Sequence, residues 1–491
     1  MNMNPFGYIK ARRGFLFTLL LSIAAGFSAL PKLRVFADPS GLNGYFYLKQ
    51  TKTLATLHSF YFSDHSLSFA PLVLLRWITG SELLAFQLGI CLSLALAFAG
   101  VLFLVDAARF SAKEAWIAKV ALLIALFSSS FFSEFSLSFY KNSAALGLVL
   151  CAANFCVRRR FLGAALFFLA AFLTHKSVAL LGLIFLALFV GQRSLGFYRR
   201  RGITRLELRW LVAVAAVLLA FSFLFLYHFP KAQAFVGFAL RSFREPSLRI
   251  RWYSQLIELK PSRALEIGAW LLLMAGTLGA WRKIPSAWRL PVGTVLIFAF
   301  IALHPFQPGG PASLGYRLTL MMPLLAPILA FGLTFALPRG WRMAGPLLLL
   351  GASALTFSPF GFREKAVKRE VRPYSRLLSR AMEIKKFVRP EDHLVSHHGL
   401  EFYVDYITDI RSRSFLASPD FAGRKFRVVF APRDSLATAE DRDDLAQETL
   451  ADLGGGYLLM EEADWELFLA QHAVPYSWKN AIGERPAHVY E

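Results

Sequence analysis

Apolar residues in this chain run in long blocks rather than in the alternating pattern of half-buried strands. Blocks lie near 14–32, 83–105, 115–132, 142–157, 161–174, 176–191, 210–228, 265–281, 290–304, 316–337 and 342–358. A helix needs roughly 20 apolar residues to cross a hydrocarbon core about 30 Å thick. The pattern therefore predicts a mainly α polytopic protein with about eleven transmembrane helices. An odd number of spans would place the N-terminus and the tail 359–491 on opposite faces of the membrane.

The polar intervals sort into two kinds. The first long one, 33–82, carries Asp38, the aromatic run Tyr45, Phe46 and Tyr47, and then Asp64 and His65. The spacing of Tyr45, Leu48, Leu54 and Leu57 predicts a helix lying in the membrane interface with its aromatics at headgroup depth. A second interval, around 130–142, reads as a loop rich in serine and phenylalanine that holds Glu134, Tyr140, Lys141 and Asn142. A third, about 229–264, carries Arg241, Arg244, Arg249 and Arg251. A fourth follows His304 and leads to Tyr316 and Arg317. Beyond 358 the pattern changes abruptly. A basic linker and helix over 363–389, short strands at 394–396 and 427–430, an acidic helix at 441–453 and a strand at 457–460 predict a soluble α/β domain. At about 130 residues it is large enough to bury a core of its own.

Composition sharpens this division. The chain has 491 residues, 56% hydrophobic and 18% charged, against about 25% charged in an ordinary soluble protein. Mean hydropathy is +0.47. A soluble enzyme, a disordered chain and a disulfide scaffold are all excluded; the three cysteines, Cys91, Cys151 and Cys156, fall inside apolar blocks. The net charge of +22 is unevenly spread. Residues 359–491 hold 19 Lys and Arg against 22 Asp and Glu, which leaves 35 against 10 in residues 1–358. The basic residues concentrate in alternate loops, at 10–13, 109–113, 158–160, 193–209, 282–289 and 339–342. That alternation is the cytoplasmic signature of membrane orientation, and it accounts for the charge without nucleic acid. It predicts a cytoplasmic N-terminus, an uncleaved first span and a C-terminal domain on the outer, periplasmic face. A bacterial inner membrane is the expected location.

Acids are scarce before residue 359, so each can be weighed. Asp106, Glu114 and Glu207 lie in basic loops, where ion pairing explains them. Asp38 and Glu134 differ, since each follows a span among aromatic and hydroxyl residues and Asp38 has no neighbouring cation in sequence. An ionisable group near membrane depth is costly and points to function. A structural alternative for Asp38 is a helix or turn cap, because Pro39 follows it.

Asp38-Pro39, the stretch Gly44-Tyr45-Phe46-Tyr47-Leu48, and Asp64 ahead of Pro71 resemble the first outer loop of the GT-C glycosyltransferases. That superfamily includes the catalytic subunit of oligosaccharyltransferase, the protein O-mannosyltransferases and the aminoarabinose transferases. The resemblance implies transfer of a hexosyl or pentosyl sugar, with inversion, from a polyprenyl-phosphate donor to an acceptor on the outer face. It implies Asp38 as the catalytic acid of the first loop, acting as general base. Glu134 would hold the second-loop position that orients acceptor or metal, and Arg317 after Tyr316 would hold the donor phosphate. The paired metal-binding carboxylates of the oligosaccharyltransferase branch are missing, since Glu134 stands alone in its loop. No cofactor is therefore certain, and a divalent cation (magnesium or manganese) held by Asp38 or Glu134 stays open.

The chemistry suits these residue types. A carboxylate can take a proton from an acceptor hydroxyl. A guanidinium matches phosphate oxygens where charge develops on the leaving group. Arg249 and Arg251 are reserves for that role, and Asp64 belongs to the same loop as Asp38. Lys141 could hold phosphate or simply snorkel to the interface. His175, between two short blocks, either approaches the site or serves as a turn residue. His393, His397 and His398 lack zinc-ligand spacing and read as a strand end and loop. Expected partners are the bilayer, a polyprenyl-phosphate sugar, and a glycan, lipid or protein acceptor. Two other readings compete. Lys141 opening one span and His175 ending the next are similar to a polysaccharide (O-antigen or exopolysaccharide) polymerase, although such polymerases usually lack a large outer domain. A lipid-linked-sugar transporter would show paired halves and acids or broken helices near the midplane, and neither is visible in the sequence.

Overall fold

The structure is a computed structural model that describes residues 5–41, 43–61, 65–175, parts of 178–191, 261–303, 314–354, 364–371, 375–396, 399–413, 423–430 and 445–471 apart from 446. Helices α1 (Pro5–Phe27) and α2 (Leu30–Leu33) lead into the first long loop, which is itself helical, with α3 (Gly44–Leu57) and α4 (Phe69–Thr79). Then come α5 (Glu82–Ala107), α6 (Ala112–Ser128), α7 (Ser130–Ser138), α8 (Tyr140–Val157) and α9 (Phe161–Thr174). Later in the chain lie α10 (Pro261–Gly279), α11 (Ser286–Ala302), α12 (Leu314–Thr334) and α13 (Ala344–Ser353).

Nine of the eleven predicted blocks fall on these helices; 176–191 is described only in part, and 210–228 lies outside the described residues. By length and composition, three described segments can cross a membrane unaided: Gly14–Leu33, Glu82–Ala107 and Arg317–Thr334. A fourth is the broken pair α6 and α7, bent by 72°. The apolar helices α4, α9 and α11 are shorter than such a span. Burial explains how the bundle uses them. Helix α5 is its axis, sealed on nearly every side. Helix α9 instead presents Leu162, Leu166, Leu169 and Leu173 outward, 49–78% exposed. Their spacing keeps them on one stripe. Burying a leucine is worth roughly 1.5–3 kcal/mol against water, so a stripe of four turned outward suits hydrocarbon. Close packing inside depends on small residues: a Cβ on Gly26 would lie 2.6 Å from the backbone nitrogen of Ala95, so α1 meets α5 backbone to backbone.

Local chemistry sets the helix ends that matter. Ser81 caps α5 by accepting from the Leu84 amide at 3.2 Å. Ser111 and Glu114 form a reciprocal capping box at the start of α6. Glu114 is thus a cap, and the hydrogen bonds from Ser111 hold its carboxyl below the usual range. The break after α6 falls in the run Ser128-Ser129-Ser130, whose hydroxyls compete for backbone hydrogen bonds. Ser129 takes an extended conformation and accepts from the Phe132 amide at 3.1 Å, ending one helix and starting the next. The expected loop at 130–138 is therefore a helix, α7, because serine at its N-cap starts a new turn where serines had suggested coil.

The C-terminal part comprises α14 (Glu364–Val371), α15 (Ser375–Ile384), β1 (His393–Val395), α16 (Leu400–Thr408), β2 (Arg411–Arg413), β3 (Lys425–Phe430), β4 (Ala451–Asp452), β5 (Tyr457–Glu461) and α17 (Glu462–Gln471). The strands form one mixed sheet in the order β2-β1-β3-β5-β4. Strand β1 is parallel to β2 and β3, and β5 runs antiparallel to β3 and β4. Helix α16 is the crossover that makes the parallel β1–β2 pair possible. Trp465 and Phe468 of α17 pack on Val429 and Met460 of the sheet, and Arg427 pairs with Glu462. One expectation fails here. The helix anticipated over 441–453 ends in strand β4, which pairs with Leu458 and Leu459. Gly454, Gly455 and Gly456 all have positive φ, which turns the chain back as a hairpin.

Candidate functional site

Asp38 follows α2 on a short segment pinned to the end of α7. The Ser40 hydroxyl donates to the Leu137 carbonyl at 2.8 Å. Gly41, at φ +77°, lies so close that a Cβ there would meet the Ser138 Cα at 2.7 Å. Both contacts fix where the carboxylate stands. Asp38 Oδ1 accepts from the Tyr45 hydroxyl at 2.8 Å. Tyr45 is buried, its ring 4.3 Å from that of Tyr403 and 5.3 Å from that of Tyr406, both on α16. Burial, then the neighbouring carboxylate, pushes the Tyr45 hydroxyl far above its ordinary pKa, so it stays a proton donor to Asp38. Among the described residues no cation bridges Asp38.

Cations gather at the α7–α8 junction against which the Asp38 segment is pinned. Lys141 Nζ stands over the rings of Phe46, Tyr47 and Phe69, at 5.1, 5.9 and 5.9 Å. The Arg317 guanidinium stands 5.6 Å over Phe139. Between them, the Tyr140 hydroxyl donates to the Ser68 carbonyl at 3.1 Å and ties the junction to the start of α4. Contact with an aromatic face stabilises a cation without neutralising it as a carboxylate would. The junction thus brings together two cations on aromatic faces and the segment that carries an acid. Lys141 covers an aromatic cluster, where the sequence also allowed snorkelling.

Glu134, one turn before the junction, is committed elsewhere. Its carboxylate lies 2.6 Å from Arg263 of α10, and Arg263 also donates to the Ser130 hydroxyl at 3.0 Å and covers Phe131 at 4.7 Å. This pairing bears on a divalent cation. Such ions take several oxygen ligands, yet Glu134 faces a guanidinium and Asp38 a phenol. Among the described residues no three His, Cys, Asp or Glu side chains cluster.

The remaining candidates scatter. His175 is the C-cap of α9, beside the point where the Ser66 hydroxyl donates to the Thr174 carbonyl. His393 opens β1 as expected. Asp64, Arg249, Arg251, His397 and His398 lie outside the described residues, and Tyr316 is described only as part of α12. Asp106 pairs with buried Lys119 at 2.7 Å, and Thr18 bonds to both. Several site residues escaped the sequence reading: Arg263, whose partner is 129 residues away; Tyr403 and Tyr406; and Lys49, which pairs with Asp409 of the C-terminal part at 2.6 Å. An Arg two residues ahead of the block 265–281 was the available signal for the first.

No family model and no curated protein matches the chain. Among solved structures, ArnT from Cupriavidus metallidurans in the apo state aligns at 16% identity, over 92% of this chain and 98% of that one, with a TM-score of 0.46. The same protein bound to undecaprenyl phosphate aligns at 15% identity, over 93% and 98%, with a TM-score of 0.36.

Proposed function

We propose that the protein is a membrane-embedded glycosyltransferase of the GT-C type that moves a sugar, with inversion, from a polyprenyl-phosphate donor to a hydroxyl acceptor at the outer face of a bacterial inner membrane. One observation carries this reading: an acid that no described cation neutralises is pinned to the helix junction where Lys141 and Arg317 rest on aromatic rings. Asp38 takes the proton from the acceptor hydroxyl, and the Tyr45 hydroxyl keeps the carboxylate oriented. Arg317 and Lys141 meet the negative charge that grows on the departing phosphate. The aromatic cluster of Phe46, Tyr47 and Phe69 gives the carrier an apolar approach. Glu134, tied to Arg263, shapes the acceptor side. Helix α16 of the C-terminal part holds Tyr45 in place and so contributes to the site's form.

The test uses the full chain in lipid nanodiscs, with polyprenyl-phosphate-linked pentoses and hexoses as donors. Asp38→Asn is expected to lower turnover about 10³-fold, within the range of a lost general base. Binding of undecaprenyl phosphate should persist in the variant. Full-rate transfer by Asp38→Asn overturns Asp38 as the base. Absence of transfer by the unaltered protein from every such donor overturns the transferase.

A further inference from the structure

Glu266, on α10, takes no part in the site above, yet it is only 2% exposed. Its Oε2 accepts from the Ser129 hydroxyl at 2.5 Å, at the point where α6 breaks and α7 begins. The Ser130 amide also approaches the carboxylate, and Oε1 has no partner in hydrogen-bond geometry. A buried carboxylate oxygen left bare costs on the order of 1–3 kcal/mol or more. Glu266 also lines a cavity of about 20 Å³, whose other walls include Ser129, Trp270, Pro323, Pro327 and Ser353. One water needs about 10–15 Å³ measured in this way and two or more polar partners. A partner is supplied by the sequence of α12: Pro327 has no N–H, so the Pro323 carbonyl lacks its usual helical donor.

The same helix grips α7 twice, one turn apart. Arg263 reaches Ser130 and Glu134, and Glu266 reaches Ser129. The far end of α7 holds the Asp38 segment through Leu137. We propose that the cavity binds a single water molecule hydrogen-bonded to Glu266 Oε1, and that Glu266, completed by this water, is a positioning residue that fixes the α6–α7 bend and thereby Glu134 and the end of α7. The water donates its two protons to Oε1 and to the α12 carbonyl wall. The catalytic value of the device rests on the transferase reading; the device itself does not.

The experiment measures amide hydrogen exchange over 129–138 in the full chain in nanodiscs, with the sheet strands as an internal control. Glu266→Ala and the milder Ser129→Ala each remove the Ser129–Glu266 bond. Exchange in 129–138 should rise about ten-fold or more, the equivalent of a lost hydrogen bond to a charged group. Glu266→Gln still accepts from Ser129 and should stay within about three-fold of the unaltered protein. If Glu266→Ala loosens the sheet as well, Ser129→Ala decides alone. Unchanged exchange in Ser129→Ala, or Glu266→Gln as damaging as Glu266→Ala, overturns the positioning role. An experimental structure resolving buried waters should show one beside Oε1, and a dry cavity overturns the water. With a donor in hand, Glu266→Ala should lower kcat at unchanged donor KM, and Glu266→Gln should restore it. If the unaltered protein transfers nothing, the exchange results still stand or fall independently.

Discussion

Asp106, in the last turn of α5, and Asp38, beyond the end of α2, are both acids at a helix end, yet their surroundings separate them completely. Asp106 faces Lys119 at 2.7 Å, with Thr18 bonded to both, so α1, α5 and α6 are locked by a neutralised cluster. Asp38 receives one phenolic hydrogen bond, and no cation among the described residues answers it. A paired charge joins helices and is used up in doing so. An acid held by a neutral donor keeps its charge available to a substrate, and this difference, more than depth or sequence context, supports the proposal of Asp38 as the working group.

The comparison breaks if the two acids respond alike to loss of charge. Asp38→Asn should remove about 10³-fold of turnover, equal to ~4 kcal/mol of barrier, and leave thermal stability unaltered. Asp106→Asn should do the reverse. It leaves Lys119, only 8% exposed, without its counter-charge. Breaking a buried pair costs about 3–5 kcal/mol, and the partial exposure of Asp106 points to the lower end. Unfolding in detergent measures that loss, and turnover per folded molecule should stay within about two-fold, since the fold and not the barrier is affected. Replacing both partners, as in Asp106→Leu with Lys119→Met, should recover much of the stability.

What the chain alone discloses follows the range of its forces. Apolar blocks located nine described helices because lipid burial acts on contiguous residues. The helix over Tyr45 and Leu48 was visible from its spacing, but both side chains are buried within the protein rather than turned outward as the expected headgroup contact would require. The bend at Ser129 was not, because a serine run reads as loop until one of its hydroxyls caps the next helix. Asp38 stood out by its isolation, and its hydrogen-bond donor lies only seven residues on. The Arg263 partner of Glu134 could not be read, since a contact across 129 residues depends on how α10 packs on α7. Strand β4 was lost for a related reason: Ala451 and Asp452 have no strand preference of their own and pair only because three glycines return the chain.

The tyrosine beside Asp38 sharpens the comparison at a smaller scale. Tyr45→Phe keeps the ring contacts with Tyr403 and Tyr406 and removes only the hydroxyl. The carboxylate loses a hydrogen bond worth about 1.5–3 kcal/mol when one partner is charged. Turnover should fall about ten-fold or somewhat more, well short of Asp38→Asn. A loss equal to that of Asp38→Asn would make the phenol, and not the carboxylate, the reacting group.

The smallest effect belongs to the contact between α3 and the C-terminal part. Asp409, at the left-handed C-cap of α16, lies 2.6 Å from Lys49 and 3.4 Å from Lys52. Partial burial raises its pKa, but the hydrogen bond and charge of Lys49 with the charge of Lys52 outweigh this and hold it below the usual 3.8. A carboxyl whose folded pKa is depressed stabilises the fold above its unfolded pKa and loses that contribution as pH falls through the folded value. The docking of α16 on α3 should therefore be insensitive to pH near neutrality and weaken only below about pH 4. Asp409 is 57% exposed, so the pair is worth less than about 1 kcal/mol and salt should erode it. Asp409→Asn, which tolerates the same left-handed backbone, should lower stability by that small amount at neutral pH and abolish the salt dependence. A larger loss that salt does not touch would mean that the aromatic contacts of Tyr45 with Tyr403 and Tyr406 depend on Asp409, and the two lysines would then be positioning the site rather than trimming its edge.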